Sequence, residues 1–254
     1  MRYAIIAAGE GSRLAAEGIA EPKPLVKAGD EALIDRLIRV FMDNDAEEIF
    51  VICNEQMTQV AEHLAKIQKE GLNGVQVPLK YIVKSTPSSM HSFYELSGFL
   101  TKGPFVLTTV DTIFREDDFR KYMQAYRFAF EDGFDGVMGV TDYIDDEKPL
   151  YVEVNENMNI TAFLDQSDSC KYISGGIYGL NAPALQTLNA CIERGESRMR
   201  NFQRALIADE MLLKAYPFTK VLDIDHAEDI KKAEEFILKS TRQLNKKHGT
   251  EKDI

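Results

Sequence analysis

Short apolar runs alternate with amphipathic segments along the first half of the chain. The runs RYAIIAAG, EEIFVICN, LKYIVK, PFVLTTVD and DGVMGVT are rich in apolar and β-branched residues, which is typical of buried strands. The segments between them repeat apolar residues at helical spacing, as in ALIDRLIRVFMDND. Because strands and helices alternate, this pattern predicts a parallel sheet covered on both faces by helices.

The pattern changes in the middle of the chain. The stretch LYVEVNENMNITAFLD has two alternating runs around an Asn-rich turn, which predicts an antiparallel hairpin over 150–165. The segment SGGIYGL predicts a further short strand over 174–180. No Gly/Ser-rich linker interrupts the sequence, so we expect one domain with this hairpin region inserted on the substrate side.

The last part of the chain predicts helices and one strand. The periodicity indicates helices from Pro183 through Lys214, a late strand in KVLDID and a closing helix in AEDIKKAEEFILKS. Residues 241–254 are polar and carry no pattern, so we expect them to fray or to be disordered. The sequence therefore predicts a single domain over 1–240 and a short tail over 241–254.

Charge and composition narrow the range of partners. The formal net charge of −11 disfavours a nucleic acid, because proteins that bind one normally present a basic face. A few local cations still permit a small phosphorylated ligand.

The three widely spaced cysteines indicate neither a disulfide framework nor a zinc site, and suit a reducing cytoplasm. No apolar run approaches the roughly 20 residues that span a bilayer, so we expect a cytoplasmic protein without a membrane partner.

The stretch AAGEGSRLAAEGIAEPKPL, from Ala7 to Leu25, ends the first strand with two glycines. Glycines at the end of a strand bring backbone N–H groups up to phosphate, or simply relieve strain in a tight connection. A P-loop requires Gly-Lys-Ser or Gly-Lys-Thr at the second glycine, and Gly11 is followed by Ser-Arg. A dinucleotide fingerprint requires a third small residue, where this chain has Leu14.

Two cations in the same stretch favour a phosphate site. Arg13 offers a planar guanidinium that matches phosphate oxygens. Lys23 lies between Pro22 and Pro24, which disfavour a helix and predict an extended segment with little freedom. We therefore expect Arg13 and Lys23 to bind a polyphosphate at the end of the first strand.

The composite of AAGEGSRL, EPKPL and a following helix resembles the signature of the sugar-1-phosphate nucleotidylyltransferases, also called nucleotide-sugar pyrophosphorylases. The resemblance implies a mostly parallel, Rossmann-like, GT-A-type three-layer α/β sandwich with the antiparallel hairpin on the acceptor side. It implies an enzyme that uses Mg²⁺ to transfer a nucleotidyl group from a nucleoside triphosphate to a sugar 1-phosphate, releasing pyrophosphate. Arg13 and Lys23 would be catalytic, and the nucleotide would be bound by Ala7, Ala8, Gly9, Gly11 and Ser12.

Aspartates follow two of the predicted strands. Asp111 ends PFVLTTV, and Asp223 and Asp225 lie in VLDID before the closing helix. Taken alone, such residues are typical of turns and helix N-caps. By the resemblance, Asp111 and Asp225 would bind Mg²⁺, and Asp223 would be a supporting or alternative ligand. Mg²⁺ is commonly held by one or two carboxylates together with substrate phosphates, which agrees with this assignment.

Weaker similarities extend the nucleotide site. By the resemblance, Asn54 lies in the base pocket after the second strand, and Ser88 and Ser89 contact the nucleotide. Capping of the third helix explains the two serines equally well.

The acceptor side departs from the family pattern. Gly176 and Asp165 would contact the sugar phosphate, but the usual Glu-Lys-Pro element is missing where the chain reads Leu164-Asp165-Gln166. Lys171 follows nearby and could replace the missing cation. The acceptor therefore stays open between a sugar 1-phosphate and, as the alternative, phosphocholine or another small phosphorylated alcohol. A non-catalytic nucleotide-sensing domain is a less favoured hypothesis, because all the charged motif residues are present.

Overall fold

The computed structural model describes residues 1–145 and 147–249, with side chains as far as 238. Thirteen strands and eight helices occur in these residues. The strands are β1 Arg2–Ala7, β2 Lys27–Ala28, β3 Glu31–Ala32, β4 Glu48–Cys53, β5 Leu79–Val83, β6 Phe105–Thr109, β7 Thr112–Phe114, β8 Gly136–Thr141, β9 Tyr151–Val154, β10 Ile160–Leu164, β11 Tyr172–Leu180, β12 Leu213–Phe218 and β13 Val221–Asp223. The helices are α1 Ser12–Ala16, α2 Leu33–Met42, α3 Thr58–Glu70, α4 Ser89–Ser97, α5 Glu116–Glu131, α6 Ala184–Glu193, α7 Met199–Ala208 and α8 Ala227–Gly249.

Nine of the described strands form the main sheet, in the order β10-β9-β11-β6-β1-β4-β5, with β8 beside β11 and β12 beside β8. Strand β1 pairs in parallel with β4 on one side and with β6 on the other, so its loop opens between their carboxyl ends. Strand β11 is antiparallel to β6, β8 and β9. Strands β9 and β10 form the antiparallel hairpin that the sequence predicted, and the structure places it at one edge of the sheet.

Both faces of the sheet are buried, which makes the domain a three-layer sandwich. Tyr3 and Ile5 of β1 belong to one hydrophobic core, whereas Ala4 and Ile6 belong to the other. This alternation follows from the period of two in a strand, and it explains why the whole run is apolar. The predicted α/β fold class is therefore confirmed. Within the described residues, no helix is long and apolar enough to span a bilayer.

Two predicted boundaries differ from the structure. The helical prediction through Lys214 is wrong at its end, because α7 stops at Ala208 and β12 begins at Leu213. The first four residues of LKAYPF alternate between buried and half-buried, and the whole segment pairs with β8, which marks it as a strand. The closing helix α8 continues to Gly249, since the segment after Ser240 contains good helix formers and no proline. Residues 250–254 of the predicted tail lie outside the described residues.

A glycine in β11 allows α5 to pack closely on the sheet. A Cβ atom on Gly179 would lie 2.5 Å from Tyr122 Oη, so any larger residue would push α5 away. The two tyrosines of α5 bind the sheet backbone: Tyr122 Oη donates to the Val137 carbonyl at 2.9 Å, and Tyr126 Oη donates to the Leu180 carbonyl at 2.6 Å. The close approach of α5 therefore depends on Gly179.

We expect Gly179→Ala to lower the free energy of unfolding by about 1–3 kcal/mol, because overpacking forces a shift of the helix or the strand. Gly98→Ala is the matched control, since a Cβ there meets no atom within 4 Å. Because Gly98 has helical backbone angles, the control should raise stability by up to about 1 kcal/mol rather than lower it. Urea unfolding of the two purified variants measures both values, and equal stabilities would contradict the packing role of Gly179.

Candidate active site

The carboxyl ends of the parallel strands border a cavity of about 670 Å³, called the main cavity below. Ligands in open α/β sheets bind at this edge. The structure brings most of the residues predicted for the nucleotide and metal to the wall of this cavity. They are Ala8, Gly9, Gly11, Ser12, Arg13, Lys23, Asn54, Ser88, Ser89, Asp111 and Asp225.

The loop after β1 contains two glycines, Gly9 and Gly11, and only Gly11 is needed for steric reasons. Gly11 has a φ of 60°, in the left-handed region, and a Cβ on it would lie 3.2 Å from Lys23 Cβ. Gly11 thus lets the Lys23 segment approach the loop. A Cβ on Gly9 would meet no described atom within 4 Å, so the packing of the protein does not require that glycine. Ala7 is buried in β1 and does not line the cavity.

Two cations and two carboxylates form a cluster at the wall of the cavity. Lys23 Nζ lies 2.5 Å from Asp111 Oδ2 and 2.8 Å from Asp225 Oδ1. Arg13 Nη1 lies 2.8 Å from Asp225 Oδ2. Burial lowers the pKa of Lys23, but the charges and hydrogen bonds of both aspartates outweigh it and raise that pKa above its usual range. Lys23 therefore remains a cation although it is only 9% exposed.

The segment that carries Lys23 differs from its predicted conformation. Lys23 begins a 3₁₀ turn, Lys23–Leu25, rather than an extended segment. Pro24 is compatible with this turn because its lost N–H falls at the beginning of a helix, where it has no partner to lose. The turn holds the Lys23 backbone against the β1–α1 loop.

A short antiparallel ladder brings the two aspartates together. Asp111 immediately precedes β7 and Asp225 follows β13, and Thr112 pairs with Asp223 at that end of the ladder. The Ile224 N–H donates to the Asp111 carbonyl at 3.2 Å, which extends the pairing to the loop. Residues more than a hundred positions apart therefore meet through backbone hydrogen bonds.

The carboxylate of Asp225 is not the cap of α8. The side chain of Asp229 accepts hydrogen bonds from the backbone N–H groups of Asp225 and His226, at 3.2 and 2.8 Å. Asp229 thus takes the capping role, and the Asp225 carboxylate points to Lys23 and Arg13. The N-cap alternative for Asp225 is wrong.

Asp111 and Asp225 fit a divalent cation, because both carboxylates already converge on one positive charge, Lys23 Nζ. Carboxylate oxygens are the ligands that Mg²⁺ prefers. Among the side chains described in residues 1–145 and 147–238, no group of three or more acidic, His or Cys residues is arranged to hold a metal. Substrate phosphates would have to supply further ligands, as is usual for Mg²⁺. Asp223 lines a neighbouring cavity instead.

Asn54 and Ser88 make contacts within the protein. The Asn54 amide donates to the Ala8 carbonyl at 3.2 Å and accepts from Ser85 Oγ at 2.8 Å, so it ties the β1 loop to the segment after β5. Ser88 Oγ accepts from the His91 N–H at 3.4 Å and is the N-cap of α4. For Ser88 the capping alternative is confirmed, while nucleotide contact by Asn54, Ser88 and Ser89 stays a prediction.

Gly176 lies near the cluster but does not line the main cavity. Its φ is 69°, and a Cβ would lie 3.2 Å from Thr112 Oγ1, which is within 2.8 Å of Thr109 Oγ1. A positive φ at this irregular position of β11 favours glycine. A structural need therefore accounts for Gly176, and contact with an acceptor stays a prediction.

Asp165 and Lys171 are not brought to the cluster. Asp165 accepts hydrogen bonds from Arg204 and Arg200, which lower the pKa of its carboxyl. The Nη1 of Arg200 is 2.6 Å and the Nη2 of Arg204 2.7 Å from Asp165 Oδ1. Lys171 is exposed, lies 3.9 Å from Asp142 Oδ2 and stacks over the Tyr172 ring. Their role in binding an acceptor stays a prediction.

A second cavity, of about 240 Å³, shares Arg13 and Asp225 with the main one. Its remaining wall comes largely from the segment after β8, from β11 and from the start of α8. Its other polar and charged lining residues are Thr141, Tyr143, Asp145, Glu147, Ser174, Asp223, His226, Glu228, Asp229 and Lys232.

Sequence reasoning missed several polar residues of both cavities. Gln56, Ser85, Thr86, Ser92 and Thr109 line the main cavity. Three of them follow β4 or β5, so the rule that ligands bind at strand ends could have found them. Tyr143 and Asp145 lie in a loop without pattern. Glu147 begins a Glu147-Lys148-Pro149 triplet just before β9, which sequence reasoning sets aside as a coincidence, although the structure places Glu147 in the wall of the smaller cavity.

The different positions of Ser88 and Ser89 generate a test. We expect Ser88→Ala to lower the free energy of unfolding by about 1 kcal/mol, because α4 loses its N-cap. Ser89 is the first residue of the helix rather than its cap, so Ser89→Ala should change stability by less than about 0.5 kcal/mol. Urea unfolding followed by circular dichroism compares the two, and an equal loss in both would rule out capping by Ser88.

A sheet with a glycine loop, two cations and two aspartates at its carboxyl edge defines a class of α/β phosphate-binding enzymes. The sequence matches the family model described as nucleotidyl transferase over residues 3–240. The chain belongs to this family and is a nucleotidyltransferase, as the sequence predicted. No curated protein sequence matches it significantly.

Solved structures share the fold at low identity. An inositol-1-phosphate CTP transferase from T. maritima has a TM-score of 0.73 and 21% identity, over 93% of this chain and 97% of that one. A UDP-glucose pyrophosphorylase complexed with UDP-glucose has a TM-score of 0.74 and 15% identity, over 96% and 98%. A CTP:phosphocholine cytidylyltransferase from Streptococcus pneumoniae has a TM-score of 0.71 and 19% identity, over 92% and 98%. At these identities the similarity shows the fold.

Proposed function

We propose that this enzyme transfers a nucleotidyl group from a nucleoside triphosphate to a sugar 1-phosphate with the help of Mg²⁺, giving a nucleotide sugar and pyrophosphate. The observation that carries the proposal is the contact of Lys23 with both Asp111 and Asp225, beside Arg13 and the β1–α1 loop. Cations for phosphate and carboxylates for a metal are the two requirements of phosphoryl-type transfer, and here they share one wall.

The reaction needs no nucleophilic side chain. A phosphate oxygen of the acceptor attacks the α-phosphorus, the bond between the α- and β-phosphates breaks, and pyrophosphate leaves with the electron pair. Arg13 and Lys23 bind the phosphates and neutralise the charge that develops on them. Asp111 and Asp225 would hold Mg²⁺, which when bound offsets further phosphate charge. The remaining contribution of the protein is to position the two substrates.

The two cavities support a division between donor and acceptor. The larger one contains the β1–α1 loop and the start of α4, and we assign it to the nucleoside triphosphate. The smaller one shares Arg13 and Asp225 with it, and we assign it to the acceptor. Because both cavities border the same two side chains, the acceptor phosphate would lie next to the α-phosphate.

The charge of the smaller cavity favours a second candidate acceptor. Six carboxylates line its described wall, against one arginine and one lysine, Arg13 and Lys232. The carboxylates are Asp145, Glu147, Asp223, Asp225, Glu228 and Asp229. An excess of carboxylates suits a phosphorylated alcohol that carries a cationic group, such as phosphocholine. The missing Glu-Lys-Pro element agrees with this alternative, as does the shared fold with a CTP:phosphocholine cytidylyltransferase.

Removing one charge from the cluster should stop the reaction. We expect Lys23→Ala or Asp111→Ala to reduce pyrophosphate release by at least about 100-fold, because a preorganised charge at the reacting phosphates is lost. The exposed Lys27 lies on β2, so Lys27→Ala is a matched control that should keep normal turnover. A coupled pyrophosphate assay measures the rates, and circular dichroism checks the fold. Near-normal turnover in either cluster variant would refute the proposal.

A substrate screen distinguishes the two acceptors. Each common nucleoside triphosphate is incubated with Mg²⁺ and either hexose 1-phosphates or phosphocholine, and pyrophosphate is measured. We expect release with a sugar 1-phosphate, in which the ring hydroxyls hydrogen-bond to carboxylates of the smaller cavity. If pyrophosphate is released with phosphocholine but with no sugar 1-phosphate, phosphocholine is the acceptor and the sugar 1-phosphate proposal is wrong. Glu147→Gln should then weaken phosphocholine use, because one carboxylate facing the cation is neutralised.

A further inference from the structure

Helix α1 contacts the turn that follows Asp225. Glu17 Oε2 accepts a hydrogen bond from the Ala227 N–H at 2.6 Å. Glu17 Oε1 lies 2.6 Å from His226 Nδ1. One carboxylate at the end of α1 thus binds two consecutive residues immediately after the proposed metal ligand.

Helix α1 holds this turn at a second point. Arg13 lies one helical turn before Glu17, so both side chains project from the same face of α1. Arg13 binds the Asp225 carboxylate at 2.8 Å, while Glu17 binds the backbone beyond it. The Asp225 side chain and the backbone that carries it are therefore fastened to the same short helix.

Glu17 accepts from the first N–H group of α8, that of Ala227, and does so from a different helix. Asp229 caps α8 from within, through the N–H groups of Asp225 and His226. Glu17 lies outside the walls of both cavities, so it does not reach a substrate there. The contacts of Glu17 attach the turn after Asp225 to α1, the helix that begins at the proposed phosphate-binding loop.

We infer that Glu17 is a positioning residue that holds the 225–227 turn against α1 and thereby aims the Asp225 carboxylate at the cation bound by Asp111. This inference rests on the proposed role of Asp225 as a metal ligand. This role requires a side chain at residue 17 that is long enough to extend from α1 to the next turn and that can accept a hydrogen bond. The Glu17 carboxylate contacts both the Ala227 N–H and the His226 ring.

Titration calorimetry with inorganic pyrophosphate tests the inference, with and without Mn²⁺, on the full chain. Pyrophosphate alone reports on Arg13 and Lys23, whereas the gain in affinity with Mn²⁺ reports on the two aspartates. We expect Glu17→Ala to weaken Mn²⁺–pyrophosphate binding about five-fold, the size of a lost capping contact, and to change binding of pyrophosphate alone less than about two-fold.

Two further variants at the same position separate hydrogen bonding from charge. Glu17→Gln keeps the length and an acceptor for the Ala227 N–H, so it should bind Mn²⁺–pyrophosphate as the unmodified chain does. Glu17→Asp keeps the charge but is one methylene shorter, so it should resemble Glu17→Ala. Glu48→Ala is the control, because it removes an ion pair with Lys80 on the surface. It should leave both constants unchanged.

Asp225→Asn separates failure of the inference from failure of the proposed function. If Asp225→Asn keeps the full gain in affinity with Mn²⁺, the metal role of Asp225 is wrong and the role of Glu17 with it. If Asp225→Asn loses the gain while Glu17→Ala retains it, only the role of Glu17 is overturned. Equal weakening with and without Mn²⁺ in Glu17→Ala, or loss in Glu17→Gln, would also overturn it.

Discussion

The pairing of β7 with β13 is the constraint on which the site depends. It brings Asp111 and Asp225 to one end of a two-stranded ladder, where both contact Lys23. Two carboxylates this close repel each other unless a cation lies between them. Backbone hydrogen bonds hold the carboxylates in place, and Lys23 and Arg13 offset the repulsion. The ladder therefore places two negative charges side by side, and the positive charges of Lys23 and Arg13 balance them.

The order of the strands decides what lies around this cluster. Because β1 runs between β4 and β6, its loop opens at the point where connections leave in opposite directions, which is where open α/β sheets form a crevice. The antiparallel strand β11 follows β6 and leads to the hairpin of β9 and β10. The ends of the parallel strands β1, β4, β5 and β6 thus line the main cavity, and the antiparallel strand β11 lines part of the smaller one.

The parts of this protein that could be predicted from sequence are those with local signals. Strands buried on both faces have a continuous apolar pattern, and Asp111 follows directly from its position after such a strand. The strand β12 was missed because a short period-of-two pattern follows two helices and contains a proline at its exposed position. The partner of Asp165 could not be predicted, since Arg200 and Arg204 approach it only when α7 packs beside β10. The partners of such side chains are therefore decided by contacts between elements that lie far apart in the sequence.

The charges of the cluster explain why nucleotide and metal should support each other at this site. Two cations and two carboxylates neutralise each other as they stand. A triphosphate that bound Lys23 and Arg13 would leave Asp111 and Asp225 without these partners. An unpaired carboxylate is costly where it is mostly buried, as the side chain of Asp111 is at 20% exposure. A divalent cation on the two carboxylates removes this cost and frees both basic side chains for phosphate. Each ligand thus lowers the cost of binding the other, which is the thermodynamic meaning of coupling between two sites.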